Sequence, residues 1–245
     1  MARLTTLALA FVLWLPAAAT AQPAPSALEV EGYRPAAFVP ADGDGLRPVV
    51  VALHGNFDRP EWMCAAWARF VQGRAFILCP RGRPRTDAPS LDRWELPHAH
   101  LLRREIAAGR RALAARFPGR IDDSAPDVYV GFSQGAHRIA RMAAGDPSRY
   151  PRIQLVEGGN ALFRVPGAQR YARQPGRAAV VCALPWCATR GQILVRTLEQ
   201  GRASGRTERI PAAHHDIPTM APAIQRTFDW LVEDDPRFAT GRADP

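Results

Sequence analysis

Gly131-Phe132-Ser133-Gln134-Gly135 reads G-x-S-x-G. It stands between an apolar run, Val128 to Val130, and a segment from about Ala136 to Ala144 with the spacing of a helix. A serine on a sharp strand-to-helix turn presents its hydroxyl at the end of a sheet, and small neighbours are needed because the turn leaves no room for side chains. The helix that begins directly behind it aims free N–H groups and a positive dipole end at any oxyanion formed there. The alternative is a plain structural turn, since Gly and Ser are common in turns; the flanking strand and helix favour Ser133 as a nucleophile.

A second segment suits the same chemistry. Val50-Val51-Ala52-Leu53 runs into His54-Gly55-Asn56, where a glycine lets the backbone approach a substrate. An N–H from Asn56 or Phe57, with the N–H of Gln134, would complete an oxyanion hole. His54 reads as an orienter of this loop. The base should follow the serine in the chain, and Ala212-Ala213-His214-His215-Asp216-Ile217-Pro218 lies there, ahead of a final helix. The small residue before it favours His214, with His215 as the alternative. His98, His100 and His137 read as helix-face or helix-terminus residues.

These residues need a scaffold that brings separate strand ends together. Leu28 to Pro40 reads as one or two antiparallel edge strands, and Asp42-Gly43-Asp44-Gly45 as a turn. Pro48 to Leu53 and Ala75 to Cys79 are short and continuously apolar, as strands buried on both faces are. Further strands are expected at Ile153 to Val156, Ala178 to Leu184 and Glu208 to Ile210. Helices are expected at Glu61 to Val71, His98 to Phe117, Gln192 to Gln200 and Met220 to Val232. The inward face of the first is assigned to Trp62, Ala65, Ala66 and Phe70. That of the second is assigned to Leu101, Leu102, Ile106, Leu113 and Phe117. Residues 80–97, with four prolines, read as loop. Strands and helices alternate without a compositional break, which predicts an α/β fold: one domain, a mostly parallel sheet and helices on both faces.

At 245 residues, 47% hydrophobic and 22% charged, the chain can bury a full core, which excludes wholesale disorder. Its net charge is +9, and every basic residue is arginine. The arginines are spread along the chain among 23 acids, without the clustered stripe or module that nucleic-acid binding requires. Pro80-Arg81-Gly82-Arg83-Pro84-Arg85 reads as an exposed loop that could meet an anionic group, and Trp62, Trp67 and Trp94 as core or pocket lining. Arg3, the apolar Leu7 to Leu15, Pro16 and Ala19-Thr20-Ala21 together read as an export signal over 1–21. The mature domain is then 22–245, with 233–245 frayed, and its place periplasmic or secreted. The apolar run is short for a membrane span, so no stable insertion is expected once the signal is removed. Export makes disulfides the leading reading of Cys64, Cys79, Cys182 and Cys187, and spacing favours 64–79 and 182–187. The spacings typical of zinc sites are missing, and neither metal nor organic cofactor is implied.

Strand–His-Gly, Gly-Phe-Ser-Gln-Gly–helix and a late histidine resemble the α/β-hydrolase superfamily over residues 28–232. Gly-Phe-Ser-Gln-Gly is similar to carboxylesterases and acyl thioesterases. Val39-Pro40 with Val50-Val51-Ala52-Leu53-His54-Gly55 in an exported chain resembles the secreted polyhydroxybutyrate depolymerase and feruloyl esterase group. The resemblance implies a serine esterase acting on a small-molecule or polymer-linked ester. A serine peptidase, or a degenerate hydrolase that binds without turnover, are the alternatives. In the family the acid usually follows the strand ending here near Leu184, but Pro185-Trp186-Cys187-Ala188-Thr189-Arg190 has no carboxylate. An acid moved to the preceding strand is known in the family, and Glu157, after Ile153 to Val156, is the candidate. Asp216 is too close to the histidine in sequence, and Asp58 sits in the oxyanion loop. The sequence gives no oligomeric state.

Overall fold

The computed structural model describes residues 24–211 and 216–239. The leader, both candidate bases His214 and His215, and the last six residues lie outside them. Ten strands and six α-helices follow in chain order among the described residues. They are β1 (Ser26–Leu28), β2 (Ala36–Val39), β3 (Val49–Leu53), α1 (Pro60–Val71), β4 (Phe76–Cys79), β5 (Arg83–Pro84), β6 (Trp94–Glu95) and α2 (Ala99–Arg116). Then come β7 (Val128–Phe132), α3 (Gln134–Gly145), β8 (Arg152–Val156), α4 (Val165–Ala172), β9 (Gly176–Cys182), α5 (Pro185–Glu199), β10 (Ala203–Arg209) and α6 (Ile217–Val232).

The described residues form an eight-stranded sheet in the order β1-β2-β4-β3-β7-β8-β9-β10, with β5 and β6 as a separate hairpin. The β1–β2 and β2–β4 pairs are antiparallel and the rest parallel. This is the α/β architecture the alternating pattern predicts. Each apolar run feeds both layers. Val49, Val51 and Leu53 of β3 pack in the core shared with α2, α3, α4 and α5, while Val50 and Ala52 face α1 and α6. After β4 pairs on one side of β3, the chain crosses to lay β7 on the other. The carboxyl ends of β3 and β7 therefore meet at a point where the strand order reverses, the usual place for ligands in open α/β sheets.

Several elements differ from the pattern-based expectation. Trp62 is 50% exposed; of the expected face of α1 Phe70 is buried, and Met63, Cys64, Trp67 and Val71 pack beside it in place of the others. Leu101 of α2 is likewise exposed. The stretch 80–97 contains the β5–β6 hairpin, because Trp94 bridges Asp58 on the loop after β3 and gives the short strands a wall to lie on. Helix α4 lies where the pattern predicts no helix. Helix α5 begins at Pro185, well ahead of Gln192. Strand β10 spans seven residues because all of them pair with β9, so tertiary pairing overrides its polar sequence. Through Ala239 the tail is docked: Phe238 is buried in the α1/α6 core, and Arg152 and Arg177 pair with Glu233, Asp234 and Asp235.

Cys64 is bonded to Cys79, and Cys182 to Cys187. The first joins α1 to the end of β4 across 15 residues, and a loop of that length is worth about 3 kcal/mol by chain entropy. Cys64→Ser/Cys79→Ser should therefore lower the urea-unfolding free energy by about 3 kcal/mol and raise the m-value, because the freed unfolded chain exposes more surface.

Candidate active site

Ser133 follows β7 and caps α3 with φ +50° and ψ −111°, a backbone conformation costly for a residue with a Cβ. Two contacts hold it there. Its N–H donates to the Val156 carbonyl of β8 at 2.8 Å, and its own carbonyl accepts from His137 N–H at 3.1 Å. The flanking glycines are dictated by space. A Cβ on Gly135 would lie 2.1 Å from the Leu53 carbonyl oxygen, and one on Gly131 2.7 Å from the Ala136 nitrogen. Ser133 itself is partly exposed, at the N-terminus of a 12-residue helix.

The loop after β3 closes on this turn. His54 is fully buried, with Nδ1 2.7 Å from the Gly55 carbonyl and Nε2 3.0 Å from that of Arg81. Each ring nitrogen thus faces a carbonyl oxygen, so the N–H of either tautomer is spent within these loops and the buried ring is not placed to act as a base. Phe57, at φ +64°, donates its N–H to the Trp94 carbonyl at 3.0 Å. Of the two candidate donors this leaves the N–H of exposed Asn56, which has no hydrogen bond among the described residues. Arg85 Nη1 donates to Asn56 Oδ1 at 2.6 Å. The Gln134 side chain accepts from Leu96 N–H at 2.7 Å, tying the hairpin to the turn. Arg81 is spent internally on Glu61 and the Pro35 carbonyl, and Arg83 pairs with Glu95. Buried Glu105 of α2 accepts from Gly82 N–H at 2.8 Å. Burial pushes its carboxyl above the usual range, against the N–H groups of Gly82 and Arg81.

Glu157 sits one residue beyond β8, at φ +57°. Phe132 of β7 pairs with Val156 of β8, so Ser133 and Glu157 leave neighbouring strands side by side. The Glu157 N–H donates to Val181 of β9 at 2.9 Å. Its buried carboxylate reaches across to accept the Ala183 N–H just beyond the end of β9. The carboxyl group thus arrives from β8 at the very loop that lacks an acid of its own. It lies within 4.8 Å of the Cys182 and Cys187 sulfurs, which are bonded to each other. The rival carboxylates are committed elsewhere. Asp216 caps α6 through Thr219 N–H, and Asp58 accepts from Arg59 N–H at 2.8 Å.

His137 has a role that its helix-face position did not suggest. Its Nδ1 accepts from Gly159 N–H at 3.1 Å and lies 3.4 Å from Asn160 N. That requires an unprotonated Nδ1, and burial, with Arg138 beside it, holds the imidazole below the usual histidine value. No local sequence feature marks this contact; it arises where α3 passes the turn after β8.

No protein-family model and no curated protein matches the sequence. Solved structures do match in fold. A thermostable esterase superposes with a TM-score of 0.58 at 18% identity, over 86% of this chain, which spans 63% of that protein's length. Fluorophosphonate-binding serine hydrolase F of Staphylococcus aureus gives 0.58 at 11% identity, over 82% of this chain and 92% of its own. Dienelactone hydrolase of Anabaena variabilis gives 0.58 at 15% identity, over 86% and 98%. The fold is that of the α/β-hydrolases.

Two measurements follow. Gly135→Ala, whose methyl would strike the Leu53 carbonyl and Cβ, should cost about 1–3 kcal/mol of stability, read from urea midpoints beside Gly145→Ala, where the space is open. His137 titrates lower in the folded chain than in the unfolded one, so its contribution is intact above about pH 6.5 and lost as pH falls through the lowered folded value. Urea midpoints between pH 8 and pH 5 should show a loss that is smaller in His137→Gln.

Proposed function

We propose that this chain is an exported serine hydrolase of carboxylic esters. Ser133 Oγ attacks the ester carbonyl, and His214 (His215 in the alternative arrangement) takes the proton and returns it to the departing alcohol. Glu157 orients the imidazole and stabilises its cationic form. The N–H groups of Gln134 and Asn56 receive the oxyanion, and water admitted after the alcohol leaves releases the acyl group from Ser133. The observation that carries this reading is the strained Ser133 turn, with a buried carboxylate leaving the adjacent strand. A structural turn has no need of φ +50° on a serine. The esterase and serine hydrolase matches are consistent with that chemistry. The two disulfides fit an oxidising compartment, and among the described residues no helix is long and apolar enough to cross a membrane.

Hydrolysis of short-chain p-nitrophenyl esters and labelling by a fluorophosphonate probe test the proposal together. Ser133→Ala should abolish both. Glu157→Gln should keep the fold and lower kcat by about 10⁴, as loss of the orienting carboxylate does in other serine hydrolases. A wild-type protein that neither turns over esters nor takes up the probe would sink the hydrolase reading.

A further inference from the structure

The Cys182–Cys187 bridge lies where a stabilising crosslink has least to do. Its partners are five residues apart, and so short a closed loop removes only about two-thirds of the chain entropy that the one between Cys64 and Cys79 does. Cys182 is already held as the last residue of β9, paired with Arg209 of β10, and its carbonyl accepts from Ile210 N–H at 2.9 Å. Cys187 is already in the first turn of α5. Between them runs Ala183-Leu184-Pro185-Trp186, and Ala183 is the residue whose N–H is donated to Glu157. Both sulfurs are buried against that carboxylate, while Trp186, within the same loop, is 52% exposed.

We infer that the Cys182–Cys187 disulfide is a positioning device for the catalytic acid: it fixes the loop whose Ala183 N–H aims the Glu157 carboxylate, and the wall of sulfur keeps water from that side. This rests on the reading of Glu157 as the acid. A glutamate brought from β8 has a longer and freer side chain than an aspartate set directly at the end of β9. It therefore needs a fixed donor at the far end of its reach. A small displacement of a catalytic group costs rate far more than it costs stability, so the bridge acts on kcat.

The test is kcat, KM and the pH profile of kcat/KM on p-nitrophenyl acetate for the oxidised wild type, Cys182→Ser/Cys187→Ser, Glu157→Gln and the three changes combined. Cys64→Ser/Cys79→Ser serves as the control that should lose stability and keep kcat. Removing the 182–187 bridge should lower kcat about 10- to 100-fold with KM within about twofold. The acid limb of kcat/KM should move to lower pH, because a base with a displaced carboxylate partner holds its proton less tightly. In the Glu157→Gln background the same removal should cost nothing further. An unchanged kcat and acid limb, beside a damaged Glu157→Gln, would overturn the inference and leave the acid assignment standing. An additive loss in the Glu157→Gln background would overturn it too, since the bridge would then act on another group. A harmless Glu157→Gln would remove the acid assignment and the inference with it. Should the serine pair not fold, dithiothreitol can open the bridges of the wild type: each S–S bond takes two electrons and two protons, and the dithiol closes to its own cyclic disulfide. Alkylation and mass spectrometry then locate the open bridge, and activity should follow 182–187 rather than 64–79. If activity follows 64–79 instead, the inference fails.

Discussion

The structure depends on the close approach of two strand ends. Leu53 at the end of β3 and Gly135 at the start of α3 touch so closely that a single methyl would strike the Leu53 carbonyl oxygen. That contact holds the turn, and with it the positive φ of Ser133. Backbone strain of this kind costs about 1–3 kcal/mol and persists only when the surroundings over-determine it. Here they do: the β7–β8 ladder continues into the Ser133 N–H bond to Val156, and α3 starts from the Ser133 carbonyl.

The same economy governs the neighbouring strand ends. Glu157 is also in the left-handed region, and its N–H continues the ladder to Val181. His137 from α3 accepts the next turn's N–H groups. The turns after β7 and β8 are therefore braced against each other. The loop after β3 is braced in turn by buried His54, by the Phe57–Trp94 bond and by the hairpin hooked to the Gln134 side chain. The loops after β3, β7 and β8 are each tied to at least one other element, so rigidity is shared among them.

Several arginines tie separate parts of the chain together. Arg74, Arg81, Arg110, Arg152, Arg177 and Arg237 each combine an ion pair with burial of most of the side chain. Many also donate to backbone carbonyls at loop ends, as Arg81 does to Pro35 and Arg237 to Ala125. A planar guanidinium with five donors suits this tying of loops. Asp127 shows how dry such places become: burial pushes its carboxyl up to about 6 despite the Arg110 guanidinium beside it.

Much of the scaffold was legible in the chain. The continuous apolar runs announced β3, β4, β7 and β8, and the G-x-S-x-G segment announced a strained turn, because few residues other than glycine survive such contacts. Cysteine spacing announced both bridges. What the sequence could not supply was anything set by a partner distant in the chain. The polar β10 is a strand because β9 lies beside it, and the hairpin at Arg83 and Trp94 exists because the loop after β3 offers it an edge. Trp62 points outward because helix phase, not hydrophobicity, decides which face packs. That the carboxylate of Glu157, the candidate acid of the sequence, reaches the Ala183 N–H belonged to tertiary structure for the same reason. Local composition fixes which residue types can do chemistry. Only the register of β7, β8 and β9 brings a carboxylate from one strand to the end of the next.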